Sequence, residues 1–254
     1  MVIQLADRRI EIRNIYPYMA EYCRDYTLSD MDDCDIEIKI TQEDIVYERQ
    51  KSEQEDIAEG IPIRQFSEEY LETLAVYRKI AEQMPFYDTF LFHGSAIAVD
   101  GTGYLFTAKS GTGKSTHTRL WRELLGRRAT MINDDKPLIR VKIDGSAVIY
   151  GTPWDGKHRL STPISVPLKA ICILERAETN RIREITKQEA LPMLFQQAYR
   201  PMDTGAMQKT IALIEMLNVK LYRLGCNMDP SAAELAYHTM KGGEDETEEG
   251  IYHA

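Results

Sequence analysis

The sequence predicts an α/β fold: a mixed β-sheet carrying a P-loop, with helices packed around it and a smaller α+β elaboration at the N-terminus. Three observations predict this. Short apolar runs with strand character alternate with helical-period segments through the middle of the 254-residue chain. The stretch Ser110-Gly111-Thr112-Gly113-Lys114-Ser115-Thr116 falls between a strand pattern and a helix pattern. The last third is mainly helical.

In chain order, Val2 to Leu5 and Arg9 to Ile12 read as short strands, and Asp35 to Ile40 alternates with period two, the mark of a half-buried strand. Gln50 to Glu59 is acidic and polar and reads as a loop or a fraying helix end. From Ser67, a suitable N-cap, the period becomes helical through Leu71, Leu74, Tyr77 and Ile80. Phe90 to Val99 and Tyr104 to Ala108 form two strands about the turn Asp100-Gly101-Thr102-Gly103. A helix follows from Ser115 to Leu125, ending near Gly126. Thr130 to Asn133 is a short strand, Leu138 to Ile143 and Ala147 to Tyr150 make a hairpin at Asp144-Gly145, and Leu168 to Leu174 is a strongly apolar strand. Thr186 and Glu189 match a capping box for a helix running toward Tyr199. Met207 to Leu217 is helical, Lys220 to Leu224 a strand, and Asp229-Pro230 opens a final helix as cap and first residue. The expected organisation is an elaboration over 1–84, a main body over 85–241 and an acidic, disordered tail over 242–254.

Hydrophobic residues make up 43% of the chain, enough for a sizeable core. The formal net charge of −9 argues against a protein that neutralises nucleic-acid phosphates, so no nucleic-acid partner is expected. Five carboxylates between Glu244 and Glu249 carry much of that charge. Cys23, Cys34, Cys172 and Cys226 show no C-x-x-C pair and no histidine at zinc spacing. Charge enters too early in Met1 to Arg9 for a signal peptide, and no apolar run approaches the roughly 18 residues that cross a bilayer. The expectation is a cytoplasmic protein without a membrane partner.

The chemistry concentrates at Ser110 to Thr116. Gly111 and Gly113 let successive backbone N–H groups converge on phosphate oxygens. Lys114 supplies a compact cation for the β- and γ-phosphates, Ser115 a hydroxyl for Mg²⁺, and the helix N-terminus its dipole. Ala108 stands where the G-x-x-x-x-G-K-[ST] pattern has its first glycine. Asn133-Asp134-Asp135 ends a strand after that helix, where ligands bind in open α/β sheets. Adjacent carboxylates can divide two tasks of phosphoryl transfer, holding the metal and accepting a hydroxyl proton. His93 alone reads as a core histidine, and His117, one turn into the helix, has a weaker claim on the site.

In this order, the His93-Gly94 strand, the glycine-containing hairpin, Ser110 to Ser115 and Asp134-Asp135 resemble the catalytic domain of HPr kinase/phosphorylase. The loop is also similar to that of ATP-dependent phosphoenolpyruvate carboxykinase, of the same fold superfamily. The resemblance covers roughly His93 to Leu174. It implies a phosphoenolpyruvate carboxykinase/HPr kinase-like sheet, an ATP–Mg²⁺ site at Ser110 to Thr116, and an acceptor hydroxyl activated by aspartate. Carried over by position, Asp134 is the catalytic base, Asp135 joins Ser115 on the metal, and His93 lies near the transferred phosphate. The resembled kinase is an oligomer, so a homo-oligomer comes with the resemblance.

Two departures narrow it. Thr116 replaces the family's glutamate, and Gly151 to Leu160 stands in place of the E-V-R-G-L-G signature tied to reverse phosphorolysis. In that segment Asp155, Lys157 and Arg159 are candidate substrate contacts, pinned by Trp154. The sequence therefore points to an ATP-dependent kinase acting on a hydroxyl, serine foremost, of a protein, peptide or small molecule. Carboxykinase chemistry and a non-catalytic ATP-binding switch or assembly protein are the alternatives.

Overall fold

The computed structural model describes residues 1–30, 33–156 and 158–242. Lys157 and nearly all of the acidic tail, 243–254, lie outside the described residues.

Three strands open the chain: β1 (Val2–Leu5), β2 (Arg8–Arg13) and, after the short α1 (Tyr18–Tyr22), β3 (Ile36–Lys39). β2 is the middle strand, antiparallel to β1 and parallel to β3. Two helices follow, α2 (Gln42–Glu59) and α3 (Glu68–Gln83). Ile10, Ile12, Ile36 and Ile38 share one buried core with Leu71, Ala75, Val76 and Ile80 of α3.

Of the two readings of Gln50 to Glu59, a loop or a fraying helix end, helix α2 excludes the loop. It begins at a capping box formed by Thr41 and Asp44 and ends at Gly60, whose φ of 68° closes the last turn. Its polarity all round hides the helical period, yet α3 supplies partners. Arg78 pairs with Asp44 at 3.1 Å and with Glu48, and Lys79 pairs with Asp44 at 2.7 Å.

The larger sheet is mixed, and its strands are β4 (Thr89–Leu91), β5 (Ser95–Val99), β6 (Thr102–Thr107), β7 (Ala129–Asn133), β8 (Leu138–Val141), β9 (Ala147–Tyr150), β10 (Ser165–Arg176), β11 (Arg181–Glu184) and β12 (Lys220–Cys226). The order runs β4-β8-β9-β10-β6-β5-β7. β10 is long enough to use one edge twice: Ser165 to Leu168 pair with β9, and Ala170 to Arg176 pair in parallel with β12. β11, which the sequence reading did not anticipate, pairs antiparallel with β12.

Helices α4 (Lys114–Leu125), α5 (Lys187–Gln197), α6 (Thr204–Met216) and α7 (Ser231–Lys241) complete the body. The two-residue period of β10 sorts them. Ile171 and Ile173 share a core with Leu194 of α5 and Ile214 of α6, whereas Ala170, Cys172 and Leu174 share one with Trp121 of α4 and Ala236 of α7. Helix α7 starts one residue later than expected. Pro230 is its cap, and the Asp229 carboxylate accepts from the Ser231 N–H at 2.9 Å.

The expected single strand from Phe90 to Val99 is two strands. The chain breaks at Phe92-His93-Gly94, where His93 N–H bonds the Gln197 carbonyl at 2.8 Å and Gly94 N–H bonds the Asp135 carbonyl at 3.0 Å. Gly94 has no room for a side chain: an added Cβ would lie 2.7 Å from Leu105 Cδ1 and 3.0 Å from the Phe106 carbonyl. The break matters for direction. β5 is antiparallel to both β6 and β7, and β6, β10 and β12 run parallel. The carboxyl ends of β6, β7, β10 and β12 therefore share one edge, together with the start of β5. Among the described residues, no helix is long and apolar enough to cross a membrane.

Candidate active site

At that edge β6 runs out through the buried Ala108 into a glycine loop, and α4 begins at Lys114. Gly111 and Gly113 take φ values of 73° and 118°, a left-handed region that side chains disfavour, so both glycines are required by the turn. Ala108 needs no glycine freedom, which accounts for its tolerance at the pattern's first position. Arg176, the last residue of β10, donates to the Gly111 carbonyl at 2.6 Å and braces the loop. Ser110 and Ser115 are exposed, and Thr112, Gly113, Lys114 and Thr116 are half-buried. The Lys114 ammonium curls back to 3.5 Å from the Ala108 carbonyl. Burial lowers its pKa, and the charges of Asp135 and, less, Asp134 pull it back up.

The two aspartates have different surroundings. Asp134 is buried and accepts from the Ser95 hydroxyl, which in turn lies 2.9 Å from the Thr118 hydroxyl on α4. It also lines a cavity of about 400 Å³ with Ser115, Thr116, Arg119 and Arg122. Gly156 closes over it, since an added Cβ there would meet Asp134 Oδ2 at 3.1 Å. Asp135 instead pairs with His93 Nε2 at 3.2 Å and Lys136 Nζ at 3.0 Å. Burial pushes its carboxyl up, but the His93 hydrogen bond and the Lys136 charge outweigh this and hold it at about 2. His93 thus sits in a strand break at the site's edge.

Asn133 fixes the turn that carries the acids, and sequence reasoning gave it no task. Its carbonyl oxygen accepts from Asp135 N–H at 2.8 Å and Lys136 N–H at 2.6 Å. Its amide donates to the carbonyls of Thr152 at 3.0 Å and Trp154 at 3.2 Å. The signal was present: asparagine before a turn readily bonds the backbone two residues on. Replacing Asn133 with alanine leaves several of these buried groups unpaired. The expected cost is about 2–4 kcal/mol of folding stability, given ~1–3 kcal/mol per orphaned group. Urea denaturation measures it, and a loss below about 1 kcal/mol would mean that Asn133 does not hold this turn.

The 151–160 segment divides. His158 and Leu160 line the Asp134 cavity. Asp155 and Arg159 pair with each other at 3.6 Å, and the Arg159 guanidinium lies 4.2 Å over the Tyr22 ring in the N-terminal layer. Burial raises the Asp155 carboxyl, and the Ser161 N–H, 3.1 Å away, partly offsets this. The structure therefore brings Ser110 to Thr116, Asp134, Asp135 and His93 together and turns Asp155 and Arg159 toward Tyr22. Lys157 is outside the described residues.

A mixed α/β protein with a strand–glycine loop–helix and a carboxylate pair on one sheet edge is the class that fold and site define. Residues 62–228 match the family described as SynChlorMet cassette protein ScmC, and the chain belongs to that family. The structure is also similar to that of the Hpr(Ser) kinase/phosphatase from Coxiella burnetii, at 11% sequence identity and a TM-score of 0.36, over 60% of this chain and 99% of that one. No curated protein matches the chain.

Proposed function

We propose that the protein is an ATP- and Mg²⁺-dependent phosphotransferase that moves the γ-phosphoryl group to a hydroxyl, serine foremost, of a protein, peptide or small molecule. The observation that carries this reading is Lys114: a half-buried cation at the first residue of α4, behind two left-handed glycines, under the charges of Asp135 and Asp134. Loop N–H groups and a helix N-terminus suit the β- and γ-phosphates there.

The residues present fit Mg²⁺. Ser115 and Asp134 offer a hydroxyl and a carboxylate to one cavity. Among the described residues there is no group of three or more His, Cys, Asp or Glu suited to a metal. Mg²⁺ needs none, because it binds through one or two carboxylates together with substrate phosphates and water. When bound, it would neutralise charge on the β,γ-oxygens.

The sequence reading gave Asp134 the proton and Asp135 the metal. The surroundings of the two acids favour another division, the metal with Asp134 and the proton with the His93–Asp135 pair. Asp134 shares the cavity of Ser115, while Asp135 acts more strongly on Lys114 and hydrogen-bonds His93. In the proposed step the acceptor oxygen bonds to the γ-phosphorus as the bond to the ADP oxygen breaks. The hydroxyl proton passes to His93 Nδ1, with Asp135 holding the imidazole through Nε2.

The test is transfer from labelled ATP to peptide and small hydroxyl acceptors. Asp135→Asn is expected to bind ATP and lose about 10²-fold or more in transfer rate. Asp134→Asn is expected to raise the Mg²⁺ concentration needed for half-maximal rate. A wild type that neither transfers phosphate nor hydrolyses ATP overturns the proposal. ATP binding with no turnover leaves the switch reading, and phosphoenolpyruvate formed from oxaloacetate leaves the carboxykinase reading.

A further inference from the structure

Against the glycine loop and the first turns of α4 lies a second cavity, of about 500 Å³, and Thr116 lines both it and the Asp134 cavity. The second is walled by Leu120 of α4, Leu174 of β10, Cys226 of β12 and Met228. Its place outside the carboxyl ends of β10 and β12, beside the loop that follows the parallel β6, is the crevice where open α/β sheets receive ligands.

His117 also lines it. The side chain is 3% exposed, and its Nε2 accepts a hydrogen bond from the Trp121 indole N–H at 3.1 Å. An indole nitrogen can only donate, so Nε2 carries the lone pair and the neutral ring carries its proton on Nδ1. Nδ1 has no hydrogen-bond partner among the described residues. A buried donor without an acceptor is costly, and here it borders an apolar cavity beside a phosphate-cradling loop.

Resting on the nucleotide reading above, we infer that this cavity receives the nucleobase and selects adenine over guanine, with His117 Nδ1–H donating to an adenine ring nitrogen. Adenine presents only lone pairs on its free ring nitrogens. Guanine presents an N1–H and a 2-amino group along one edge, and these need acceptors. Among the described residues the lining contains no aspartate or glutamate, the carboxylates that would accept from both donors of that edge at once, and one Arg176 N–H is committed to the Gly111 carbonyl. Leu120, Leu174 and Met228 supply the apolar faces that a flat purine covers.

Calorimetric titration of the full chain with ADP, GDP and inorganic tripolyphosphate tests this. The wild type is expected to bind ADP at least about tenfold more tightly than GDP, the scale of one buried hydrogen bond. His117→Phe keeps a flat ring and removes the donor. It is expected to weaken ADP about tenfold more than it weakens tripolyphosphate. Met228→Trp, at an exposed rim position, partly fills the cavity without touching the donor and is expected to show the same bias. Equal affinity for ADP and GDP in the wild type, or equal losses for ADP and tripolyphosphate in both variants, overturns the base pocket while leaving phosphate binding intact. Failure of the wild type to bind either ADP or tripolyphosphate overturns both readings.

Discussion

Lys114→Met is expected to lower phosphoryl transfer by about 10²–10³-fold, the usual scale for removing one preorganised electrostatic contact from a transition state. Methionine keeps an unbranched stem of similar reach and removes the charge alone. The measurement is a single-turnover rate with saturating ATP, so that weaker binding does not disguise the loss in the chemical step. Thermal stability is expected to hold or rise, because a half-buried ammonium whose pKa burial has lowered is costly to keep in the folded state. A rate within threefold of wild type would mean that the glycine loop is not where the transferred phosphate sits.

Trp154→Ala is expected to carry the largest stability cost, about 3–5 kcal/mol, as for other large aromatics truncated in a core. The indole is 3% exposed, and its N–H donates to the Thr73 carbonyl of α3 at 2.8 Å. Its ring lies 6.3 Å from that of Tyr22 and 5.8 Å from that of Tyr77, centre to centre. Its own carbonyl accepts from Asn133. One residue thus joins the N-terminal layer to the turn that carries the acids. Urea denaturation gives the cost, and Trp154→Phe, which keeps a ring but drops the bond to Thr73, is expected to lose roughly 1–2 kcal/mol. A loss under 1 kcal/mol for the alanine variant would show that the layer is held elsewhere.

What the sequence made legible was what local chemistry dictates. The glycine loop, the hairpin at Asp100-Gly101 and the capping box at Thr186 each follow from a few adjacent residues, and each is present. Helix α2 escaped because its stabilisation lies in ion pairs with α3, distant in sequence, and not in an apolar stripe. The break at His93 escaped because apolar runs flank it on both sides, Phe90 to Phe92 and Ala96 to Val99. Only the Gly94 contact with Leu105 and the bonds to Gln197 and Asp135 divide it. The different surroundings of Asp134 and Asp135 escaped for a related reason. They are set by Ser95, Thr118, His93 and Gly156, which three-dimensional pairing brings together. Asp155 and Arg159 read in the sequence as candidate substrate contacts, and the Tyr22 ring that receives Arg159 comes from the N-terminal layer.

The double use of the β10 edge has a consequence for synthesis. The half of β10 that borders the His117 cavity pairs with β12, the last strand, and the cavity wall is finished by Cys226 and Met228. The residues that line the Asp134 cavity are all translated by Leu160. A chain emerging from the ribosome would own its phosphate loop and carboxylates long before it could enclose a purine. On the base-pocket proposal, a nucleotide would stabilise the fold through its base only once β12 has been made, whereas phosphate binding by the loop would not wait for it.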